Sequence, residues 1–353
     1  MSTTATLTTD SVLAIFERLN TENIVYAVLR NAENFPHFGH DVDLIVADTD
    51  RNRCREIFIE IAKMQGWQAL TECHHWAKSK HCQWHNIEIF RFFHAQQLAY
   101  LQIDLFHGYL VNGLPFMTET ELLSDRQSDP RGFTRIHPGR ENVFRMLQLH
   151  RLYTWDAEQT EKIMRYRTQV LSYAHDHESA FQAIISQHMG TAGLNALKAL
   201  QHDHIQDYSQ HITQFKRQFF WQFSLKNPVA ALQNFAERID DYVQGYWLDP
   251  CGQVLPFHGD SQVLTEVLDT LVAHNLLSCW TQKRCEQSGL SWPERKTLER
   301  GGMVLKRAHS STRNVLDLSS NNHEKQTLIE TVISRLNARH IMLYSANIEG
   351  CVP

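Results

Sequence analysis

The chain has 353 residues, of which 42% are hydrophobic and 21% are charged. A chain of this length is expected to form two or three compact units rather than one small domain. Its 39 acidic and 34 basic residues are mixed along the sequence and give a formal net charge of −5. Because nucleic-acid-binding proteins usually present a basic surface, this charge argues against nucleic acid as a partner.

No targeting signal or membrane span is predicted. The start MSTTATLTTDSVLAIF lacks the basic flank and the long apolar stretch of a signal peptide, and no later stretch approaches the roughly 18 apolar residues that a membrane helix needs. The 7 cysteines are scattered and form no CxxC pair, which favours reduced thiols over a disulfide framework. We therefore predict a cytoplasmic protein with no membrane partner.

The N-terminal part of the chain, residues 1–138, alternates helix and strand patterns. Residues 11–19 carry apolar side chains at the spacing of one helix face, and an apolar, β-branched run at residues 23–31 predicts a strand. The segment DVDLIVAD (41–48) predicts a second strand, and a helix is expected from about Thr49 to Gln65.

Three further strands complete the predicted N-terminal sheet. They are WQALTECHHW (67–76), WHNIEIFRFF (84–93) and AYLQIDLFHG (99–108). Together with the two earlier strands, they predict a mixed sheet of about five strands with helices packed against it.

The rest of the chain changes pattern twice. Residues 139–244 carry apolar residues at helical spacing with few strand signals, and predict a helical middle domain. Residues 245–353 combine a strand pattern in GQVLPFHGD with two helix patterns, and predict a small C-terminal α/β region. The predicted fold class is therefore α+β, with α/β character in the C-terminal region.

Two aspartates share one face of the strand DVDLIV. Side chains at i and i+2 of a strand point to the same side, so Asp41 and Asp43 aim at one place. Like charges this close repel each other, and a hard divalent cation such as Mg²⁺ compensates them by binding carboxylate oxygens. Asp104, in LQIDLFHG, is the candidate for a third carboxylate because its strand has the same apolar flanks.

These segments resemble a known superfamily. YAVLRNAENFPHFGHDVDLIV, a following helix and a later IDLFHG are similar to the core of DNA polymerase-β-like nucleotidyltransferases. More narrowly, YAVLRN, DVDLIV and IDLFHGYLVNGLPFMTETELL resemble a group of bacterial nucleotidyltransferase-like proteins. The resemblance implies a polymerase-β-like fold for residues 1–138.

The resemblance also implies a chemistry. It assigns Asp41 and Asp43 as paired metal ligands and Asp104 as the third acid, which also helps to deprotonate the acceptor. Two Mg²⁺ or Mn²⁺ ions are implied, together with a nucleoside triphosphate such as ATP. The implied activity is transfer of a nucleoside monophosphate to an acceptor hydroxyl or phosphate, in glycan or small-molecule modification.

One position departs from the superfamily pattern. A Gly-Ser or Gly-Gly pair usually ends the first strand, whereas Arg30 and Asn31 hold that place here. An arginine can bind phosphate through its planar fork of donors, or it can fill the pocket and exclude the nucleotide. If Arg30 excludes the nucleotide, the chain is expected to be a catalytically inactive binding or scaffold module with the same fold.

A second resemblance concerns DPCGQVLPFHGDSQVLTEVLDTL (249–271), which is similar to the phosphate-loop segment of thymidylate kinase. A working loop needs several glycines and a lysine, but within this segment's loop only Gly259 remains and no lysine follows before Lys283. The resemblance therefore implies a degenerate kinase-like C-terminal region.

Three weaker patterns leave alternatives open. CHHWAKSKHCQWH (73–85) is either a zinc-binding stretch or, as its spacing favours, a surface hairpin rich in histidine, in which Lys78 or Lys80 contacts phosphate or acceptor. RQFFWQF (217–223) either stacks on a base or packs in a core. KRAHSSTRN (306–314) is either an anion site or a solvated loop.

Overall fold

The structure is a computed structural model. It describes the following residues: 3–35, 41–74, 87–94, 99–155, 160–243, 253–259, 261–273, 280–282, 293–295, 303–308, 316–318, 328–329 and 331–332. Helices and strands alternate in the N-terminal part, a run of helices follows, and a second sheet lies near the C-terminus. This mixture confirms the predicted α+β class.

The helices of the described residues begin with two that flank the first strands. Their bounds are α1 Thr3–Thr21, α2 Arg51–Met64, α3 Glu119–Ser124, α4 Pro138–Trp155, α5 Thr160–Asp176, α6 Glu178–Gln201, α7 Ile205–Lys226, α8 Pro228–Val243 and α9 Gln262–Ala273. None of these helices has the length and apolar character that crossing a bilayer requires.

The strands form two larger sheets and one hairpin. Their bounds are β1 Tyr26–Val28, β2 Asp41–Val46, β3 Gln68–His74, β4 Ile87–His94, β5 Ala99–Phe106, β6 Gly108–Val111, β7 Leu114–Thr118, β8 Gln127–Asp129, β9 Phe133–Arg135, β10 Gln253–Gly259, β11 Trp280–Gln282, β12 Met303–Arg307 and β13 Leu316–Leu318.

The N-terminal sheet is mixed and contains seven strands in the order β3-β4-β5-β2-β1-β9-β8. β2 runs parallel to β5 and antiparallel to β1. The sheet has two more strands than the sequence predicted, because β8 and β9 are three residues long and too short to show an alternating pattern. β5 and β2 occupy the middle of the sheet, where neighbouring strands fix their register.

Helices cover both faces of this sheet. On one face, Phe16 of α1 and Phe58 of α2 belong to a core with Val42 and other strand residues. On the other face, Leu29 and Ile45 share a core with α4–α7. Burial of each large apolar side chain contributes about 1.5–3 kcal/mol, so the sheet is held between two apolar layers. The predicted helical segment 139–244 thus packs directly on the sheet.

The C-terminal sheet has four strands in the order β11-β12-β10-β13. β10 lies between β12 and β13 and runs parallel to both, and β11 runs parallel to β12. Residues of α9, including Leu264 and Leu268, are buried against it. In chain order, β10 is thus followed by α9.

Gly108 permits the sharp change of direction between β5 and β6. Its φ is +132°, and a Cβ at this position would lie 2.5 Å from the carbonyl oxygen of Met117. We expect Gly108→Ala to lower the free energy of unfolding by about 2–3 kcal/mol, because backbone strain and overlap add. Gly132→Ala is the control, since Gly132 also has a positive φ but has nothing within 4 Å of its Cβ position. Equal losses in urea unfolding of the two variants would contradict this expectation.

Candidate metal centre

Three carboxylates converge on the sheet face that packs against the helices α4–α7. In the parallel pair β2–β5, Asp43 lies opposite Asp104 and Asp41 lies opposite Gln102. One ligand oxygen from each of the three aspartates lies within 4.8 Å of the others. Asp43 and Asp104 are 2% and 4% exposed, whereas Asp41 is half-buried at the start of β2. The predicted acid residues therefore meet at one place, and Asp41 is the most exposed of the three.

The electrostatic environment of Asp104 disfavours its ionised form. Burial, followed by the neighbouring charges of Asp43 and Asp41, raises the pKa of Asp104 to about 8. The amide Nε2 of Gln102 donates a hydrogen bond of 2.8 Å to Asp104 Oδ1. This hydrogen bond and the charge of Arg30 lower the pKa of Asp104 and so partly oppose the increase. A cation among the three carboxylates would relieve this repulsion, so the donor set and its charge fit a hard divalent ion.

The raised pKa predicts that metal-free protein loses stability as the pH rises. The folded state binds the Asp104 proton more tightly than the unfolded chain, in which an aspartate has its ordinary pKa of 3.8, so this contribution is full below pH 3.8 and is lost towards pH 8. Asp104→Asn has no titrating group at this position, so this dependence of stability on pH is absent from the variant. We expect the stability of this variant relative to wild type to rise between pH 5 and pH 8, by up to about 1.4 kcal/mol for each pH unit.

Urea unfolding in the presence of EDTA at several pH values measures this difference. Asp10→Asn, on the exposed surface of α1, is the control and should show a constant difference from wild type. A pH-independent difference for Asp104→Asn would show that the proton affinity of Asp104 is ordinary.

Arg30 forms an ion pair with the carboxylate of Asp43 through two hydrogen bonds. Its Nη2 donates to Asp43 Oδ1 at 2.8 Å, and its Nε donates to Asp43 Oδ2. The guanidinium carbon lies 5.7 Å from the ring centroid of Phe106. Burial lowers the pKa of Arg30, but Asp43 outweighs this effect and the net pKa lies well above its ordinary value. Arg30 is thus a permanent cation inside the acid cluster.

The backbone of Asn31 is hydrogen-bonded to a side chain of helix α4. It adopts a left-handed conformation with φ 60°, and its backbone N–H donates a 3.0 Å hydrogen bond to Glu141 Oε1. Burial raises the pKa of Glu141 to about 7, and Arg145, which donates to the same oxygen, opposes this shift. The side-chain oxygen of Asn31 is buried and has no hydrogen-bond partner among the described residues. Asn31 itself is therefore held through its backbone N–H.

Helix α5 carries two exposed basic residues, Lys162 and Arg165, that flank a buried tyrosine. Lys162 Nζ lies 5.9 Å and Arg165 Cζ lies 5.7 Å from the ring centroid of the buried Tyr166. Partial burial and the charge of Arg30 lower the pKa of Lys162, whereas Asp41 raises it. No motif marks these residues, because α5 lies far from β2 in sequence and an amphipathic helix commonly carries exposed basic residues.

The comparisons with known proteins do not assign a family. No protein-family model and no curated protein matches the sequence. Among solved structures, the chain is similar to the crystal structure of JHP933 from Helicobacter pylori, with a TM-score of 0.28 and 10% identity. That match covers 66% of this chain and 99% of the other chain.

The other residues that the sequence singled out are described only in part. Lys78, Lys80 and most of the histidine-rich stretch 73–85 fall outside the described residues, although Cys73 and His74 end β3. The aromatic stripe 217–223 lies on α7 and is divided, with Phe219 packed against the core and Trp221 61% exposed. Of KRAHSSTRN, the first two residues end β12.

Two cavities lie apart from the three aspartates. One, of about 670 Å³, follows α7 and is lined by His150, Arg217 and Trp221 among others. The other, of about 730 Å³, lies between the β6–β7 hairpin and the helices α7 and α8. Neither is lined by an aspartate of the cluster.

Proposed function

We propose that the protein is a metal-dependent nucleotidyltransferase that transfers a nucleoside monophosphate from a nucleoside triphosphate to an acceptor hydroxyl or phosphate. The observation that carries the proposal is the convergence of Asp41, Asp43 and Asp104. The strand pairing supports it, because Asp43 and Asp104 are opposite one another on adjacent parallel strands. Two of these acids are buried, which costs free energy unless a cation compensates them.

The three aspartates would hold Mg²⁺ or Mn²⁺. All their donor atoms are carboxylate oxygens, which these hard cations prefer. When bound, the metal neutralises the charge on the phosphates and favours departure of pyrophosphate. The protein's contribution is to fix the carboxylates on two rigid strands, because catalysis of phosphoryl transfer depends mainly on positioning and charge.

Asp104 is placed to accept the acceptor's proton. Its Oδ1 accepts a hydrogen bond from Gln102, and a cation among the aspartates would favour the ionised carboxylate that this role requires. As the acceptor oxygen forms a bond to the α-phosphorus, the bond from that phosphorus to the bridging oxygen breaks. Pyrophosphate leaves with the electron pair of that bond, and the acceptor proton passes to Asp104. The acceptor class proposed is a glycan or a small molecule.

One observation favours a second candidate function, a non-catalytic binding or scaffold module with the same fold. Arg30 holds both carboxylate oxygens of Asp43, so the acid cluster already contains a cation. If Arg30 remains there when metal is offered, Asp43 cannot present its oxygens as the transfer reaction requires. The nucleotidyltransferase is the preferred candidate because the other two aspartates are not explained by pairing with Arg30 alone.

A labelling assay tests the proposed function. Purified protein is incubated with each α-³²P-labelled nucleoside triphosphate, Mg²⁺ or Mn²⁺ and a cell extract that has been depleted of small nucleotides. We expect label to enter an extract component, and release of pyrophosphate to accompany it, only when metal is present. EDTA should abolish both signals. Absence of transfer from every triphosphate, together with absence of nucleotide binding by calorimetry, would exclude the enzyme.

A further inference from the structure

The larger of the two cavities lies where strands β2 and β5 end. Its volume of about 730 Å³ is in the range of roughly 300–1,000 Å³ that small-molecule sites occupy. Ala47 and His107, which directly follow these two strands, line it. Ala47 is about 13 Å along the chain from Asp43, because each strand residue adds about 3.3 Å. The cavity is thus a place distinct from the acid cluster.

One part of the cavity wall is apolar. Leu114 and Met117 of β7 are buried there, and Phe223 of α7 lines the same space. The amide Nδ2 of Asn234 donates a hydrogen bond of 2.6 Å to the carbonyl oxygen of Gly113, in the turn of the β6–β7 hairpin. This bond holds helix α8 against the hairpin, so the cavity has a defined wall on that side. A ligand with an apolar body would be removed from water here.

Another part of the wall is acidic. The carboxylates of Asp48 and Glu119 line the cavity, and no lysine or arginine is among the described residues of its wall. The backbone N–H of Asp48 donates a hydrogen bond of 2.9 Å to Glu119 Oε1, which brings the two acids together. Burial is the main cause that raises the pKa of Glu119, and the carboxylate of Asp48 adds to it. A cation in the cavity would relieve this repulsion.

Arg51, next to the cavity, compensates these two acids only in part. Its Nη2 lies 3.5 Å from Glu119 Oε2 and also contacts Asp48, whereas its Nη1 donates to Nδ1 of His107. Because an arginine can only donate, this Nδ1 is an acceptor, and His107 Nε2–H donates to Glu88 at 2.8 Å. His107 is therefore the neutral tautomer. One cation thus serves two carboxylates, whose four oxygens can accept further hydrogen bonds.

We propose that this cavity binds an organic ammonium ion, a protonated primary amine on an apolar body of small-molecule size. The ammonium group donates hydrogen bonds to Asp48 and Glu119. The apolar body packs against Leu114, Met117 and Phe223. A ligand with a carboxylate head is repelled by the two acids, and a neutral alcohol gains the apolar contacts without the charge-assisted bonds. The charge of the head group therefore determines which ligand the cavity accepts.

Three probes that differ in the head group test this preference. They are 2-phenylethylamine, 2-phenylethanol and phenylacetate, each with a phenyl ring and eight carbon atoms. Each is titrated against the full-length protein at pH 7 and followed by ligand-observed NMR. We expect the amine to bind at least about tenfold more tightly than the alcohol, because bonds from an ammonium group to carboxylates are stronger than those from a hydroxyl. Phenylacetate should not bind.

Two variants locate the bound amine. Glu119→Gln removes a charge but keeps an oxygen for the Asp48 amide, so it should weaken amine binding about tenfold and leave alcohol binding within twofold of wild type. Ala230→Trp enlarges an exposed residue of the cavity wall on α8, and should abolish binding of both probes. Glu161→Gln is the matched control, because Glu161 is also an acid in the first turn of a helix, and should bind as wild type does.

The outcomes distinguish the cavity from the acid cluster. Amine binding no tighter than alcohol binding would overturn the proposal, as would equal amine binding by wild type, Glu119→Gln and Ala230→Trp. If Asp41→Asn weakens amine binding instead, the amine occupies the acid cluster and the cavity proposal fails. We expect the affinity for the amine to be the same in Asp41→Asn and in added Mn²⁺. Because neither measurement uses nucleotide transfer, failure here leaves the proposed function standing, and absence of transfer leaves the cavity proposal standing.

Discussion

Asp43→Asn is expected to lower nucleotidyl transfer by at least about 1000-fold and to abolish Mn²⁺ binding. Asp43 is the most buried of the three aspartates and stands between Asp41 on its own strand and Asp104 on the neighbouring strand. Loss of its charge removes one of three anionic ligands and the central member of the cluster. Metal stabilises the transition state by several kcal/mol, which corresponds to this factor in rate.

The labelling assay and Mn²⁺ calorimetry measure the two effects. Because Asp43 also pairs with Arg30, the substitution leaves a mostly buried guanidinium without its carboxylate and should cost about 3 kcal/mol of stability. Circular dichroism must therefore show that the variant is folded at the assay temperature.

Two further variants separate the loss of metal from the loss of fold. Asp41→Asn removes a ligand but leaves the Arg30–Asp43 pair intact, so it should lose metal binding with a smaller stability cost. Asp207→Asn, on the exposed surface of α7, should behave as wild type. Transfer by Asp43→Asn within tenfold of wild type would remove the acid cluster from the mechanism.

Arg30→Met is expected to make the protein depend on divalent metal for stability. Without the guanidinium, the three carboxylates lose their internal cation, and their mutual repulsion should lower the free energy of unfolding by about 3 kcal/mol in EDTA. Added Mn²⁺ takes the place of the lost charge. We therefore expect Mn²⁺ to raise the melting temperature of the variant by more than that of wild type, and to bind it about tenfold more tightly.

Thermal unfolding with and without Mn²⁺, together with calorimetry, measures this change. Arg167→Met is a matched control, because the side chain of Arg167 is 21% exposed, as is that of Arg30, but pairs with the largely exposed Asp203. The control should lose little stability and respond to Mn²⁺ as wild type does. Weaker Mn²⁺ binding by Arg30→Met would mean that Arg30 positions Asp43 for the metal instead of competing with it.

The result also separates the two candidate functions. If Arg30→Met binds metal more tightly and transfers label faster than wild type, Arg30 restrains an active site. If it binds metal but transfers no label, the cluster is a metal site in a binding module. The two roles of Arg30 that the sequence left open, a phosphate ligand or a block, thus become measurable through its contact with Asp43.

Much of the candidate site could be predicted from local sequence. The period of two residues in a strand places Asp41 and Asp43 on one face in any fold that keeps β2 as a strand. The apolar flanks of Asp104 identified the partner strand. The helix periods of α1 and α2 were equally clear, because apolar residues on one helix face need only local spacing to be recognised.

Other features could not be predicted because they depend on contacts between distant segments. The strands β8 and β9 are too short for a periodic signal and exist through pairing with β1. The sequence of α5 shows only amphipathicity, and the packing of this helix on the sheet depends on core contacts of residues such as Tyr166. The hydrogen bond from the backbone N–H of Asn31 to Glu141 likewise joins the loop after β1 to a helix far along the chain.

Local sequence was sufficient for the α+β class, the order of the main helices and strands, and the shared face of Asp41 and Asp43. Those properties follow from residue periodicity and backbone geometry, which act over a few residues. Two others emerged only when the chain was folded: Asp104 lies opposite Asp43, and Arg30 binds Asp43. Strand register, ion pairing and helix packing arise between segments far apart in the chain, and no local pattern encodes the distance between them.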